Sequence, residues 1–271
     1  MIIGSNPAFV FIHIPKCAGT FVRKSVCGRN DTVCYFGLQP HPEYGKLDHS
    51  HMPLLVVQRE FPEVFTKIQE YPAFAIVRNP YSRFSSSFFQ HMRLYENQNL
   101  KKLNDRDAQK KLDEIMELLD KHRDDELLPA KYIHFQRQKD YVFLNGQQVV
   151  EHLYLFEDFP GFLSGFAQIT GIHLSDEKKD GVKKINQSPF LYRNKFLQSL
   201  IQAPRPLKGR LFPLLPESIR SAIKKTIFIP AKIKTNELFL SESVRTFIQD
   251  YYRDDLKLYE GLAGVNERTI L

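Results

Sequence analysis

Three short runs of strand-forming apolar residues constrain this chain most: AFVFIHI at 8–14, AFAIV at 73–77 and LYLF at 153–156. None of them alternates apolar with polar residues. A strand of that kind is buried on both faces, which is the environment of a parallel sheet covered by helices. Each run leads into a segment with helical signals. The first is 18–27. The second opens at Pro80, where a first-turn proline is tolerated, and the third runs from about 158 to 170 and ends at Gly171. Further helices are expected near 60–70, within 100–127, and over 241–262 behind a Ser241-Glu242-Ser243 cap. Asn145-Gly146 between β-rich runs predicts a hairpin. The Gly-, Pro- and His-rich stretch 28–53 reads as a surface loop. Strands alternating with helices predict an α/β fold with a central, mostly parallel sheet.

At 271 residues and 42% hydrophobic content, one domain over 1–271 is expected, with an insertion, rather than two domains. The insertion is 194–236, which holds nine Lys or Arg against the single acid Glu217 and so carries +8 of a chain whose net charge is +7. Basicity therefore belongs to one segment and says little about the partners of the core, and no nucleic-acid partner is expected. Interleaved apolar and cationic residues in 194–236 suit peripheral contact with an anionic membrane surface, binding of a polyanionic partner, or packing on the body. Cys17, Cys27 and Cys34 lack metal-ligand spacing. A reduced compartment fits them best, with a Cys27–Cys34 bridge as the alternative. No run of apolar residues is long enough to span a bilayer. A cytoplasmic protein is expected, in peripheral contact with the inner membrane face through 194–236, or a Golgi-lumen protein if an N-terminal anchor was removed.

The first strand ends in Pro15-Lys16-Cys17-Ala18-Gly19-Thr20-Phe21. A turn from a parallel strand into a helix exposes backbone N–H groups at the positive end of the helix dipole, a ready anion site. Gly19 permits close approach of the backbone, Thr20 offers a hydroxyl and Lys16 a point charge. The order of residues differs from G-x-x-x-x-G-K-[ST], because the lysine precedes the glycine, and no acidic strand end stands ready for magnesium. The second strand ends in Arg78, with Ser86 eight residues on. An arginine fork and a hydroxyl two helical turns away suit a second phosphate. Arg83 between them suits either that role or a structural ion pair.

Pro15-Lys16-x-x-Gly19-Thr20 resembles the 5′-phosphosulfate loop of sulfotransferases that use 3′-phosphoadenosine 5′-phosphosulfate, and Arg78-Asn-Pro-Tyr-x-Arg83-x-x-Ser86 resembles their 3′-phosphate element. The pattern is closest to the carbohydrate enzymes of the heparan and chondroitin type. HLYLFEDF (152–159), INQS (185–188) and the Tyr-rich last helix resemble further family elements, while Phe21 departs where many relatives carry a second hydroxyl. The resemblance implies a three-layer fold like that of P-loop nucleotide triphosphatases and transfer of a sulfuryl group to a hydroxyl of a saccharide or glycolipid, without a metal. It implies that Pro15 to Phe21, Arg78 and Ser86 hold the donor, with Lys16 at the leaving phosphate. In DHSHMP (48–53) it implies His51 as the base and His49 as a helper that contacts the acceptor. Asp48 and Glu60 are alternative bases. In YIHFQRQKDY (132–141), His134, Gln136 and Arg137 are candidates for acceptor binding. His13 reads as a core histidine and Cys17 as a small filler. A P-loop nucleotide kinase and a non-catalytic nucleotide- or polyanion-binding module remain alternatives, and the oligomeric state is left open.

Overall fold

The computed structural model describes residues 1–96, 105–174, 190–192, 228–230, 238–239 and 241–269. The chain opens with an antiparallel pair, β1 (Ile2–Ser5) and β2 (Ala8–Ile12), and then forms α1 (Gly19–Val26). β3 (Thr32–Cys34) follows, then the hairpin of β4 (Leu38–His41) and β5 (Gly45–Asp48). Next come α2 (Leu54–Glu60), α3 (Pro62–Glu70), β6 (Ala73–Val77), α4 (Pro80–Tyr95) and α5 (Asp105–Lys121). A short hairpin of β7 (Phe143–Leu144) and β8 (Gln147–Gln148) precedes β9 (His152–Leu155) and α6 (Phe159–Thr170). β10 (Phe190–Tyr192) pairs antiparallel with β11 (Phe228–Pro230), and α7 (Glu242–Tyr251) and α8 (Arg253–Thr269) end the chain.

The main sheet runs β3-β1-β2-β6-β9. β2, β6 and β9, the three apolar runs, are parallel, with Phe11 opposite Phe74 and Ile76 opposite Tyr154. All five residues of β6 are buried. β1 and β3 extend one edge antiparallel, so the sheet is mixed, with parallel central strands flanked by helices as the α/β expectation required. Phe162 and Phe166 of α6 pack on Phe9, Phe11 and Phe74. A second apolar cluster joins α4, α5 and α7 through Phe84, Phe88, Leu112, Ile115, Val244 and Ile248. The paired strands put the carboxyl ends of β2 and β6 side by side, where Lys16 and Arg78 begin the next connections.

Several boundaries differ from the sequence expectation, each for a physical reason. The stretch 28–53 contains three strands, and its polar composition hid them because β4 is exposed along most of its length and β3 supplies only an edge. The expected helix over 241–262 is two helices broken at Tyr252, whose hydroxyl donates to the Phe135 carbonyl at 2.7 Å. Ser241 does not cap α7 with its side chain, because its Oγ turns back to the Leu238 carbonyl. The helix expected near 60–70 forms as α3, while α2 just before it was not expected; the two are separate because Pro62 disfavours helical backbone at Phe61. The hairpin at Asn145-Gly146 forms as expected, with φ of 51° and 78°. Cys27 and Cys34 are joined in a disulfide, Cα atoms 6.1 Å apart, leaving only Cys17 free, against the expectation of a reduced set. INQS (185–188) and, apart from β11, the basic segment 194–236 lie outside the described residues. No helix among the described residues is long and apolar enough to cross a membrane.

Candidate active site

Between β2 and α1 the chain adopts left-handed backbone at two residues that are not glycine, Lys16 (φ 67°) and Ala18 (φ 61°). L-residues rarely accept this geometry, and where they do the surrounding structure enforces it. Left-handed residues of this kind also occur in the backbone of anion-binding nests. Ala18 is also the N-cap of α1 and offers no side-chain acceptor, and no acidic residue occupies the first turn. The Phe21 N–H donates to the Ala18 carbonyl at 2.8 Å, and the N–H groups of Gly19 and Thr20 ahead of it are left for an outside anion.

The loop is held from below. The Cys17 thiol, buried, bonds to Gln138 Oε1 at 3.4 Å, and burial raises its pKa to about 12, so it is a neutral filler as the sequence suggested. That same Oε1 accepts the Arg78 backbone N–H at 2.9 Å, while Gln138 Nε2 donates to the Arg78 carbonyl at 2.8 Å. The Arg78 guanidinium donates to the Lys16 carbonyl at 3.1 Å and to Ser82 Oγ at 3.0 Å, and lies 4.4 Å over the Phe156 ring. The two expected phosphate elements are therefore in direct contact, and Gln138 is the brace between them. Asn79 caps α4 with its side chain, which accepts from the N–H groups of Tyr81 and Ser82. Ser86, Gln90 and Arg93 follow at helical spacing on the face that meets the loop.

Together these groups line a cavity of about 440 Å³. Its wall comprises His13, Lys16, Ala18, Gly19, Thr20, Phe21, Lys24 and His51 from the first part of the chain, and Arg78, Ser86, Gln90, Arg93, His134 and Phe156 from the rest. Four of these side chains are cations, and none of the described lining residues is acidic. Lys16 Nζ reaches Gln90 Oε1 at 3.4 Å, and Arg93 bonds to the same oxygen. Burial, with Arg93 and Arg78 adding repulsion, lowers the Lys16 pKa to about 8. An anion in the cavity relieves that repulsion.

His51 is part of the same wall. Its Nδ1 lies 2.9 Å from the His13 carbonyl oxygen, which can only accept, so Nδ1 carries the proton and Nε2 keeps its lone pair. The Tyr141 hydroxyl donates to the His51 carbonyl and fixes the backbone. Burial lowers the His51 pKa to about 4, leaving the ring neutral at physiological pH. His13 is buried, as expected of a core histidine, yet it lines the cavity too, its ring 4.4 Å from that of His51. The missing side chain of Gly19 is filled by the His13 ring, and any Cβ there would collide with it.

Not every expected residue is gathered here. Pro15 and Cys17 are buried beneath the loop rather than lining the cavity. His49 points elsewhere, its ring 5.3 Å from Phe61 and 6.5 Å from Tyr35. Gln136 is buried and bonded to the Leu128 N–H and Asp140, and Arg137 pairs with Asp140 on another face. Glu60 pairs with Arg59 and faces His41. Arg83, 1% exposed, pairs with Asp255 at 3.5 Å and donates to the His134 carbonyl, a structural ion pair. Sequence reasoning missed Lys24, Gln90, Arg93, Phe156 and Gln138. For Ser86, Gln90 and Arg93 the signal was present as an i, i+4, i+7 stripe on α4. Among the described residues no cluster of three or more His, Cys, Asp or Glu could hold a metal ion.

A family model described as the sulfotransferase family matches residues 1–172, which include the loop, the Arg78 element and His51. No curated protein and no solved structure matches the chain. The matched span covers more than half of the 271 residues and contains every strand of the main sheet: the chain belongs to the sulfotransferase family and is a sulfotransferase.

Proposed function

We propose that the protein transfers the sulfuryl group of 3′-phosphoadenosine 5′-phosphosulfate to a hydroxyl of a saccharide or glycolipid. The observation that carries this reading is the single cavity in which four cations and the uncapped N-terminus of α1 face a neutral histidine whose Nε2 is free to accept a proton. Lys16 and the first turn of α1 hold the 5′-phosphosulfate. Arg78 and Ser86 hold the 3′-phosphate, and Thr20 and Phe21 complete the cradle. The acceptor oxygen attacks sulfur and its proton passes to His51 Nε2, while the bond from sulfur to the bridging phosphate oxygen breaks. Lys16 stabilises the negative charge gathering on the departing 3′,5′-bisphosphoadenosine. No metal is needed in this scheme. His49, Gln136 and Arg137 stand outside the cavity, so the acceptor contacts suggested for them require a second surface.

Cellular placement belongs to the same proposal. The Cys27–Cys34 disulfide supports an oxidising compartment, such as a Golgi lumen, over the reducing cytoplasm. Membrane contact through 194–236 is tested by salt-sensitive flotation with anionic liposomes, lost on deletion of 205–234. The nucleotide assignment is tested by calorimetry with 3′,5′-bisphosphoadenosine beside Mg-ATP. Tight binding of the former without magnesium is expected, and preference for Mg-ATP overturns the reading.

A further inference from the structure

Besides His13, two histidines line the cavity beside the Lys16 loop, His51 and His134, their rings 5.5 Å apart. Their surroundings impose opposite protonation patterns. His51 must carry its proton on Nδ1, because that atom faces the His13 carbonyl. His134 Nδ1, by contrast, is closed off from solvent and has no hydrogen-bond partner. A proton there would be an orphaned buried donor, costing about 1–3 kcal/mol, and orphaned N–H groups are rarer in proteins than orphaned acceptors. The proton of His134 therefore belongs on Nε2, on the other edge of the ring, by which it reaches the cavity. Its position is rigid: the His134 carbonyl accepts from Ser87 Oγ at 2.6 Å and from Arg83 at 3.3 Å.

We infer that His134 is a catalytic residue that donates a hydrogen bond from Nε2 to an oxygen of the sulfuryl group during transfer, while its neighbour His51 accepts the proton of the attacking hydroxyl. The inference rests on the sulfuryl-transfer reading above and revises the acceptor-binding role expected of His134 from the sequence. Its position supports the donor side, since His134 lines the same cavity as Lys16, Arg93 and His51, and in the reading above Lys16 and His51 mark the two ends of the path along which sulfur moves. Burial keeps the His134 pKa well below the usual histidine range, so a single ring proton remains at neutral pH. A sulfuryl group offers only acceptor oxygens. A fixed N–H at its flank strengthens as those oxygens gather charge.

The test needs no acceptor. Nitrogen-15 NMR of the wild-type protein reads both tautomers, with His51 expected as Nδ1–H and His134 as Nε2–H; an Nδ1–H tautomer at His134 overturns the inference. Calorimetry then compares 3′-phosphoadenosine 5′-phosphosulfate with 3′,5′-bisphosphoadenosine, which differ by the sulfuryl group alone. His134→Phe is expected to weaken the sulfated nucleotide about tenfold and leave the bisphosphate unchanged, with His134→Gln restoring most of the loss. Equal weakening of both nucleotides, or of neither, overturns the role of His134 while the wild-type protein still binds both. Wild-type protein that binds neither nucleotide overturns the donor reading itself.

Discussion

Beside the cavity at the Lys16 loop, a second and larger cavity among the described residues is less suited to an anion. The second measures about 640 Å³ and is bounded by the 124–126 loop, 137–140, the β7–β8 hairpin and α8. Its three cations are each paired: Lys139 with Asp254 at 2.9 Å, Lys257 with Asp254 at 3.8 Å and Arg137 with Asp140 at 3.4 Å. The cavity at the Lys16 loop has four cations in its wall and no acid among its described lining residues. Paired charges at a half-exposed surface are close to energetically neutral. Like charges gathered in one cavity wall repel, and a bound anion relieves that repulsion. Volume is the weaker guide to function here and charge balance the stronger.

The contrast breaks first at the reacting groups. His51→Ala is expected to reduce transfer by about 10²–10⁴-fold, and Lys16→Ala by about 10²–10³-fold, measured as labelled sulfate moved to a saccharide acceptor pool. Near-normal turnover in His51→Ala would remove it as the base. Arg78→Ala is expected to weaken 3′,5′-bisphosphoadenosine binding by about ten- to a hundredfold and Ser86→Ala by less than tenfold. An unchanged affinity in Arg78→Ala would detach this residue from the nucleotide.

Two pH effects sharpen the comparison. Lys16 loses its proton near pH 8 in the free protein, so nucleotide affinity should fall as pH rises through about 8. Lys16→Arg should abolish that fall. His51 has a folded pKa of about 4 against about 6.5 unfolded, so below pH 6.5 the unfolded chain takes up protons that the folded one refuses. Stability should therefore drop as pH falls from about 6.5 to 4, by on the order of 3 kcal/mol from this group alone. His51→Asn should flatten part of that slope in chemical denaturation. The smallest effect belongs to the other cavity: Lys139→Ala and Lys257→Ala should leave nucleotide affinity within about twofold of wild type, and a larger loss would join the two cavities functionally.

What the sequence discloses here follows the range of the forces involved. Continuous apolar strands, the loop at Lys16 and the Arg78–Ser86 spacing are local, and each is visible in fewer than twenty residues. β3, β4 and β5 carry no such mark, because they are only three or four residues long and bury a single apolar residue, Leu47, between them. The His49/His51 pair shows the limit most clearly. Two residues apart would share a face in a strand, but the chain turns here, with the His51 N–H donating to the Asp48 carbonyl at 2.9 Å, and the rings part company. Gln138 is the other case. Its bonds to Cys17 and Arg78 span 121 and 60 residues, and no periodicity foretells them.

Gly19 has a consequence for how the enzyme can vary. The His13 ring occupies the space above it, and the His13 carbonyl sets the proton on His51. The anion cradle and the proton acceptor are thus parts of one mechanical linkage, passing through two residues that do no chemistry. A change of donor specificity in the loop cannot be made independently of the alignment of the base, and a substitution as slight as Gly19→Ala reaches both halves of the reaction at once.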